Sequence, residues 1–126
     1  MARLIVVEDE PQVLVLAESI LAEAGHEAKT AADVAQALAL LRAEESFDVL
    51  FVDVNLGGDG TDGMSLASEA VQMRKTLKVI YTSASILTDG MKELLVPGSI
   101  FLPKPYVPNV LLQSVDKLMH AGHGLN

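Results

Sequence analysis

A doubly wound α/β domain, with helices on both faces of a buried parallel sheet, is the fold this sequence predicts. Three observations lead there. Short apolar runs rich in branched side chains, such as Leu4-Ile5-Val6-Val7 and Val49-Leu50-Phe51-Val52, lack the in–out alternation of half-exposed strands. Segments of helical periodicity separate such runs, giving five strands alternating with five helices. Half of the residues are hydrophobic, only 4% are aromatic and none is Trp, so the core is aliphatic and suits helices packed on a sheet. A length of 126 residues fits one domain spanning 1–126.

Leu4 to Val7 is the first strand, closed by Glu8-Asp9-Glu10. Pro11 suits the first turn of a helix, where a missing N–H costs little. Val13, Leu14, Ala17, Ile20, Leu21 and Ala24 then follow helical spacing, and Gly25 is the stop. His26 to Thr30 is a weak second strand, and Asp33 caps or opens a helix that runs to about Arg42. The central strand covers Asp48 to Asp53 and leads into a glycine-rich turn from Gly57 to Gly63. Met64 to Lys75 reads as the third helix and Leu77 to Ser83 as the fourth strand. Ser85 to Val96 is a poorly specified fourth helix, with Gly90 inside it and Pro97-Gly98 at its end. Ser99 to Leu102 is the fifth strand, interrupted by Pro103-Lys104-Pro105. A last helix opens near Asn109, carries Val110, Leu111, Ser114, Val115, Leu118 and Met119 on or near one face, and gives way to a frayed tail from Ala121.

Net charge is −8, from 17 acids against 9 scattered Lys and Arg. Without a basic run or stripe, direct nucleic-acid binding is not expected. The absence of cysteine removes disulfides, thiol catalysis and thiolate metal sites. No stretch approaches the roughly 18 apolar residues of a membrane span, and the N-terminal apolar run is too short for a signal peptide. The expectation is a cytoplasmic protein that contacts no membrane.

In a parallel sheet the C-terminal strand ends share one edge, where open α/β folds place their chemistry. Alone, Asp53 reads as an aspartate closing a strand. The other strand ends change that reading: Glu8 and Asp9 follow strand one, Thr82 and Ser83 close strand four, and Lys104 follows strand five. Crowded carboxylates repel, and an all-oxygen ligand set favours Mg2+, which keeps waters and leaves room for a phosphoryl oxygen. A lysine and a hydroxyl opposite supply donors to the remaining phosphoryl oxygens. The set suits phosphoryl transfer to a carboxylate, where positioning and charge neutralisation supply most of the catalysis.

The ordered set resembles the receiver domain of two-component response regulators over essentially the whole chain. The residues that carry the resemblance are the acidic pair Glu8-Asp9, Asp53-Val54-Asn55-Leu56, Ser83-Ala84 and Lys104-Pro105. It implies a flavodoxin-like sheet of order 2-1-3-4-5 with five helices. It also implies Asp53 as phosphoacceptor, Asp9 as a direct Mg2+ ligand, Glu8 acting through a metal-bound water, and Asn55 giving its backbone carbonyl to the metal. Lys104 would pair with the phosphoryl group, and its peptide bond to Pro105 would be cis. Ser83 fits the switch hydroxyl better than Thr82 because a small residue follows it, and only one of two neighbours on a strand faces the site. Phe101 matches the aromatic whose rotamer follows phosphorylation. The implied partners are a histidine kinase or histidine phosphotransfer protein as donor and a downstream protein as target. The chain is expected to act as a stand-alone receiver without an output domain, a signalling phosphoacceptor and not a conventional enzyme.

Some features depart from the resemblance. Gly57 stands where a proline is common, and the loop to Asp62-Gly63 is two residues longer. Ser83 lacks a threonine methyl, and the interval before Phe101 is one residue short. The rival reading is a magnesium-dependent aspartyl-nucleophile phosphatase, but that signature needs an aspartate where this chain has Asn55. A Rossmann nucleotide site would need glycines where Glu8-Asp9-Glu10-Pro11 stands. A calcium loop starting at Asp53 fails because its twelfth position is Met64. His120 and His123 are read as tail histidines and not as a metal pair.

Overall fold

The computed structural model describes residues 1–43, 45–58 and 60–121. Strands β1 (Arg3–Val7), β2 (Glu27–Ala31), β3 (Val49–Asp53), β4 (Lys78–Ser83) and β5 (Ile100–Pro103) alternate with helices α1 (Pro11–Glu23), α2 (Val34–Arg42), α3 (Asp62–Met73), α4 (Asp89–Glu93) and α5 (Pro108–Ala121). All neighbouring strands run parallel, in the order β2-β1-β3-β4-β5. The expected topology is the one observed. The tail expected after Ala121, with His123, lies outside the described residues.

The unbroken apolar run of β3 has a direct structural cause. Val49 and Phe51 face a core built with Ala17, Ile20 and Leu21 of α1 and with Leu111, Val115 and Leu118 of α5. Leu50 and Val52 face the opposite core, built with Ala37 and Leu41 of α2 and with Leu66, Ala67 and Ala70 of α3. All five β3 residues are buried. Each such Val, Leu or Phe contributes roughly 1.5–3 kcal/mol of burial, so neither face tolerates a charge before the strand end.

Helix boundaries follow local chemistry. Pro11 starts α1, and Gly25 ends it at φ +88°, a backbone region glycine enters without strain. Asp33 caps α2 by accepting from the Gln36 N–H at 2.8 Å. Pro108 opens α5.

Helix α4 differs from the sequence expectation of a helix over Ser85–Val96. Only Asp89–Glu93 is helical, because Thr88 caps the segment by accepting from the Met91 N–H at 3.1 Å. Upstream, the Ser83 hydroxyl accepts from the Ser85 N–H at 3.0 Å and holds a turn. Downstream, the Val96 N–H donates to the Tyr81 hydroxyl at 3.0 Å. These side-chain bonds compete with helix at both ends. Helix α3 also sits two residues earlier than expected, taking in Asp62 and Gly63.

Candidate functional site

Strand register brings the chemistry together. Val7 lies beside Val52, Asp53 beside Thr82, and Ser83 beside Pro103. The residues after β1, at the end of β3 and β4, and after β5 therefore meet at one edge. The Lys104 N–H donates to the Ser83 carbonyl at 2.9 Å, and the Lys104–Pro105 peptide bond is cis. From there the Lys104 ammonium donates to Asp53 Oδ2 and to Glu8 Oε1, each at 2.7 Å. One cation thus bridges two carboxylates from different strands, with side chains only 4% exposed for Glu8 and 7% for Asp53. Both remaining oxygens are also bonded. Asp53 Oδ1 accepts from the Asn55 N–H at 3.0 Å, and Glu8 Oε2 accepts from the Glu10 N–H at 3.2 Å.

Asp9 is exposed and completes an acidic cluster. Glu8, Asp9 and Asp53 each offer an oxygen within 4.8 Å of the others. Asp9, Asp53, Asn55, Gly57, Ser83 and Lys104 line an open pocket of about 160 Å³. This all-oxygen donor set, with room beside it for water and a small anion, fits a hard divalent cation such as Mg2+.

The two carboxylates under Lys104 are not equivalent. Burial pushes the Glu8 carboxyl up to about 7, and the nearby Asp53 charge adds to the rise; the Lys104 and Glu10 hydrogen bonds oppose it without cancelling it. Burial disfavours the charged form of Lys104, but the bonds from Asp53 and Glu8 outweigh it and raise the ammonium above its ordinary value. Folded Glu8 therefore holds a proton that the unfolded chain, near its ordinary 4.5, has released. The stability of the metal-free protein is expected to fall as pH rises from about 4.5 to about 7, by on the order of 2 kcal/mol. Urea titrations across that window in EDTA should show the decline, and Glu8→Gln should flatten it.

The hydroxyls at the end of β4 separate by face. Ser83 lines the acidic pocket and also an adjoining, mainly apolar cleft of about 470 Å³ that holds Leu87, Lys92, Leu95 and Phe101. Thr82 turns to the α1/α5 face, where its buried hydroxyl has no hydrogen-bond partner among the described residues. Phe101 is half-buried against the α3-side core. Asn55 lines the pocket, and its side-chain oxygen accepts from the Gly57 N–H at 3.0 Å. Away from the site, His120 Nδ1 lies 2.9 Å from the Asp116 carbonyl oxygen in α5.

Three residues shape the loop after β3, and for two of them, Asp62 and Gly63, the sequence did not reveal the part they play. Asp62 accepts from the Leu56 N–H at 2.8 Å and the Gly58 N–H at 3.1 Å, bracing the glycine-rich loop from its far end. Gly57 adopts φ +90°, which a proline, fixed near −65°, cannot. Gly63 lets the start of α3 approach the end of β3, where a Cβ would come 1.8 Å from the Asp53 carbonyl oxygen. The sequence signal was an acid and a glycine at a helix start, which also reads as an ordinary cap.

Comparison with known proteins agrees with this geometry. Residues 4–116 match the response regulator receiver domain family. The chain is 28% identical over 116 residues to the alginate biosynthesis transcriptional regulatory protein AlgB of Pseudomonas aeruginosa, covering 91% of this chain and 25% of AlgB. It is 30% identical over 121 residues to the transcriptional regulatory protein TcrA of Mycobacterium tuberculosis, covering 95% of this chain and 47% of TcrA. It thus spans a quarter to a half of the curated relatives it matches. The structure of the response regulator TrrA from Thermotoga maritima, a complex with Mg2+ and BeF, superposes with a TM-score of 0.79 at 27% identity, over 94% of this chain and 99% of that one. The flavodoxin-like strand order is shared with CheY-like receivers. The family match and the lack of a second aspartate at position 55 leave the phosphatase reading unfavoured. With 113 consecutive positions matched and the acidic cluster and bridging lysine at the sheet edge, the chain belongs to the response regulator receiver domain family of two-component systems.

Proposed function

We propose that Asp53 accepts a phosphoryl group from a phosphohistidine of a histidine kinase or histidine phosphotransfer protein. An Asp53 carboxylate oxygen attacks phosphorus, the P–N bond breaks, and the imidazole nitrogen leaves with the bonding pair. The observation that carries this reading is the Lys104 ammonium 2.7 Å from Asp53 at the mouth of the acidic pocket. Glu8 shares that lysine but is the poorer nucleophile, since burial favours its protonated form and its side chain is the less exposed of the two.

Each residue has a part in that step. Asn55 N–H holds one Asp53 oxygen and leaves the other to Lys104, which fixes the carboxylate plane. Glu8, Asp9, Asp53 and the Asn55 backbone carbonyl would hold Mg2+. When bound, the cation neutralises charge on the entering phosphoryl group. Lys104 would supply a second positive charge to the same group. Ser83, lining both the pocket and the cleft with Phe101, is placed to report the new dianion to the α4–β5 surface. The readout is either docking of a downstream protein or onward relay of the phosphoryl group.

Acetyl phosphate with Mg2+ tests the acceptor chemistry without a partner. One phosphoryl group per chain is expected, on Asp53, and none in EDTA. Incorporation at another residue, or incorporation indifferent to the metal, would defeat the assignment. Profiling with autophosphorylated histidine kinases tests the donor: transfer within minutes from one or a few is expected, and failure with all would count against a kinase partner.

A further inference from the structure

We propose that the Thr82 hydroxyl is a positioning group that takes over the Glu8 carboxyl group when Lys104 turns to a phosphorylated Asp53; the role rests on the phosphoacceptor reading above. Thr82 is 3% exposed, and among the described residues its Oγ1 is the buried side-chain oxygen or nitrogen without a hydrogen-bond partner. Such a group is a standing cost to the fold that valine, of the same shape, would avoid.

Its place in the sheet says what it can reach. Side chains alternate along each strand, and Val6, Phe51 and Ile80 all face the α1/α5 core. Two residues on from Val6 and Ile80, Glu8 and Thr82 project to that same face. Thr82 is the direct register partner of Asp53 across the β3–β4 pair. Glu8, Phe51, Thr82 and Tyr106 line one narrow recess, which has no room for a water molecule. The hydroxyl therefore cannot be satisfied by solvent, and of the other polar side chains lining its recess, Glu8 and Tyr106, Glu8 carries the carboxyl group that can accept from it.

In the resting arrangement Glu8 needs no donor from Thr82. Lys104 covers Oε1 at 2.7 Å, and the Glu10 N–H covers Oε2 at 3.2 Å. Phosphorylation of Asp53 places a dianion farther out in the pocket and competes for the same ammonium. As Lys104 follows it, Glu8 loses its shorter bond beside a recess that has no room for water. A hydroxyl already beside it then gains the partner it lacks at rest. The unpaired group is a cost in one state and a contact in the other, which biases a two-state equilibrium.

The test uses the whole chain and beryllofluoride with saturating Mg2+, followed by fluorine NMR titration. Thr82→Val is expected to raise the melting temperature of the metal-free protein by about 2–5 °C. The same variant should weaken beryllofluoride binding about tenfold, the loss of one hydrogen bond to a charged group. Thr82→Ser, which keeps the hydroxyl, should bind as the wild type does. Opposite signs in the two states are what a merely structural hydroxyl would not produce. Unchanged binding by Thr82→Val overturns the proposal, as does a variant that loses stability and binding together. If the wild-type chain itself takes neither beryllofluoride nor acetyl phosphate, the phosphoacceptor reading fails, and this inference with it.

Discussion

Asp53→Asn is expected to take up no phosphoryl group from acetyl phosphate or from a kinase while remaining folded. The amide keeps the shape of the carboxylate but has no anionic oxygen to attack phosphorus, so incorporation should drop to background and not by a modest factor. The fold should survive above about pH 7, where Glu8 is charged and its 2.7 Å bond keeps Lys104 from becoming an orphaned cation. Removing one partner of a buried pair is costly when the other charge is left bare, commonly about 3–5 kcal/mol, and that condition is not met here. One of three crowded acids is also gone, which relieves repulsion within the cluster. Unfolding free energy within about 1 kcal/mol of the wild type, or above it, is therefore expected. Residual labelling of the variant would move the acceptor elsewhere. Loss of folding would show that the buried charge of Asp53, and not its chemistry, was the essential feature.

Gly63→Ala should be the most damaging single methyl in the chain. The added Cβ would sit 1.8 Å from the Asp53 carbonyl oxygen, 2.8 Å from its carbon and 2.9 Å from Val54 Cα. All three are backbone atoms, so no side-chain rotation relieves the clash. The Gly63 N–H also donates to the Val54 carbonyl at 2.8 Å, which ties α3 to that position. Either α3 or the end of β3 must shift, and overpacking against backbone should cost more than the roughly 1–3 kcal/mol typical of an extra core methylene. That is a large share of the roughly 5–15 kcal/mol available to a domain. Gly90→Ala is the control. Its Cβ meets nothing within 4 Å, and it lies inside α4, so it should gain about 0.5–1 kcal/mol from helix propensity. Urea midpoints separate the two, and a Gly63→Ala midpoint close to the wild type would mean that the contact yields easily. Because the displaced atoms carry Asp53, a folded Gly63→Ala protein should also label slowly.

Much of this molecule was legible before any coordinates. The uninterrupted apolar β3 run announced a strand covered on both sides, and Pro11, Gly25 and Asp33 marked helix ends through properties of single residues. The strand-end acids, hydroxyls and lysine could be listed because a parallel sheet sends all such ends to one edge. Helix α4 was legible only as poorly specified, because its limits depend on the Thr88, Ser83 and Tyr81 hydroxyls, which bond backbone that helical periodicity alone would have taken as helix.

Patterns along the chain thus sufficed for the element order, the two-sided core and the membership of the polar cluster. They were enough because periodicity, capping and turn chemistry act over a few residues. What only the assembled sheet decided was which groups touch. Lys104 lies 96 residues from Glu8 and 51 from Asp53, yet one ammonium serves both. Strand register set Thr82 beside Asp53 and Ser83 beside Pro103, and the approach of α3 to β3 made Gly63 indispensable. Distances of that kind arise from pairing and twist across the sheet, and no stretch of neighbouring residues encodes them.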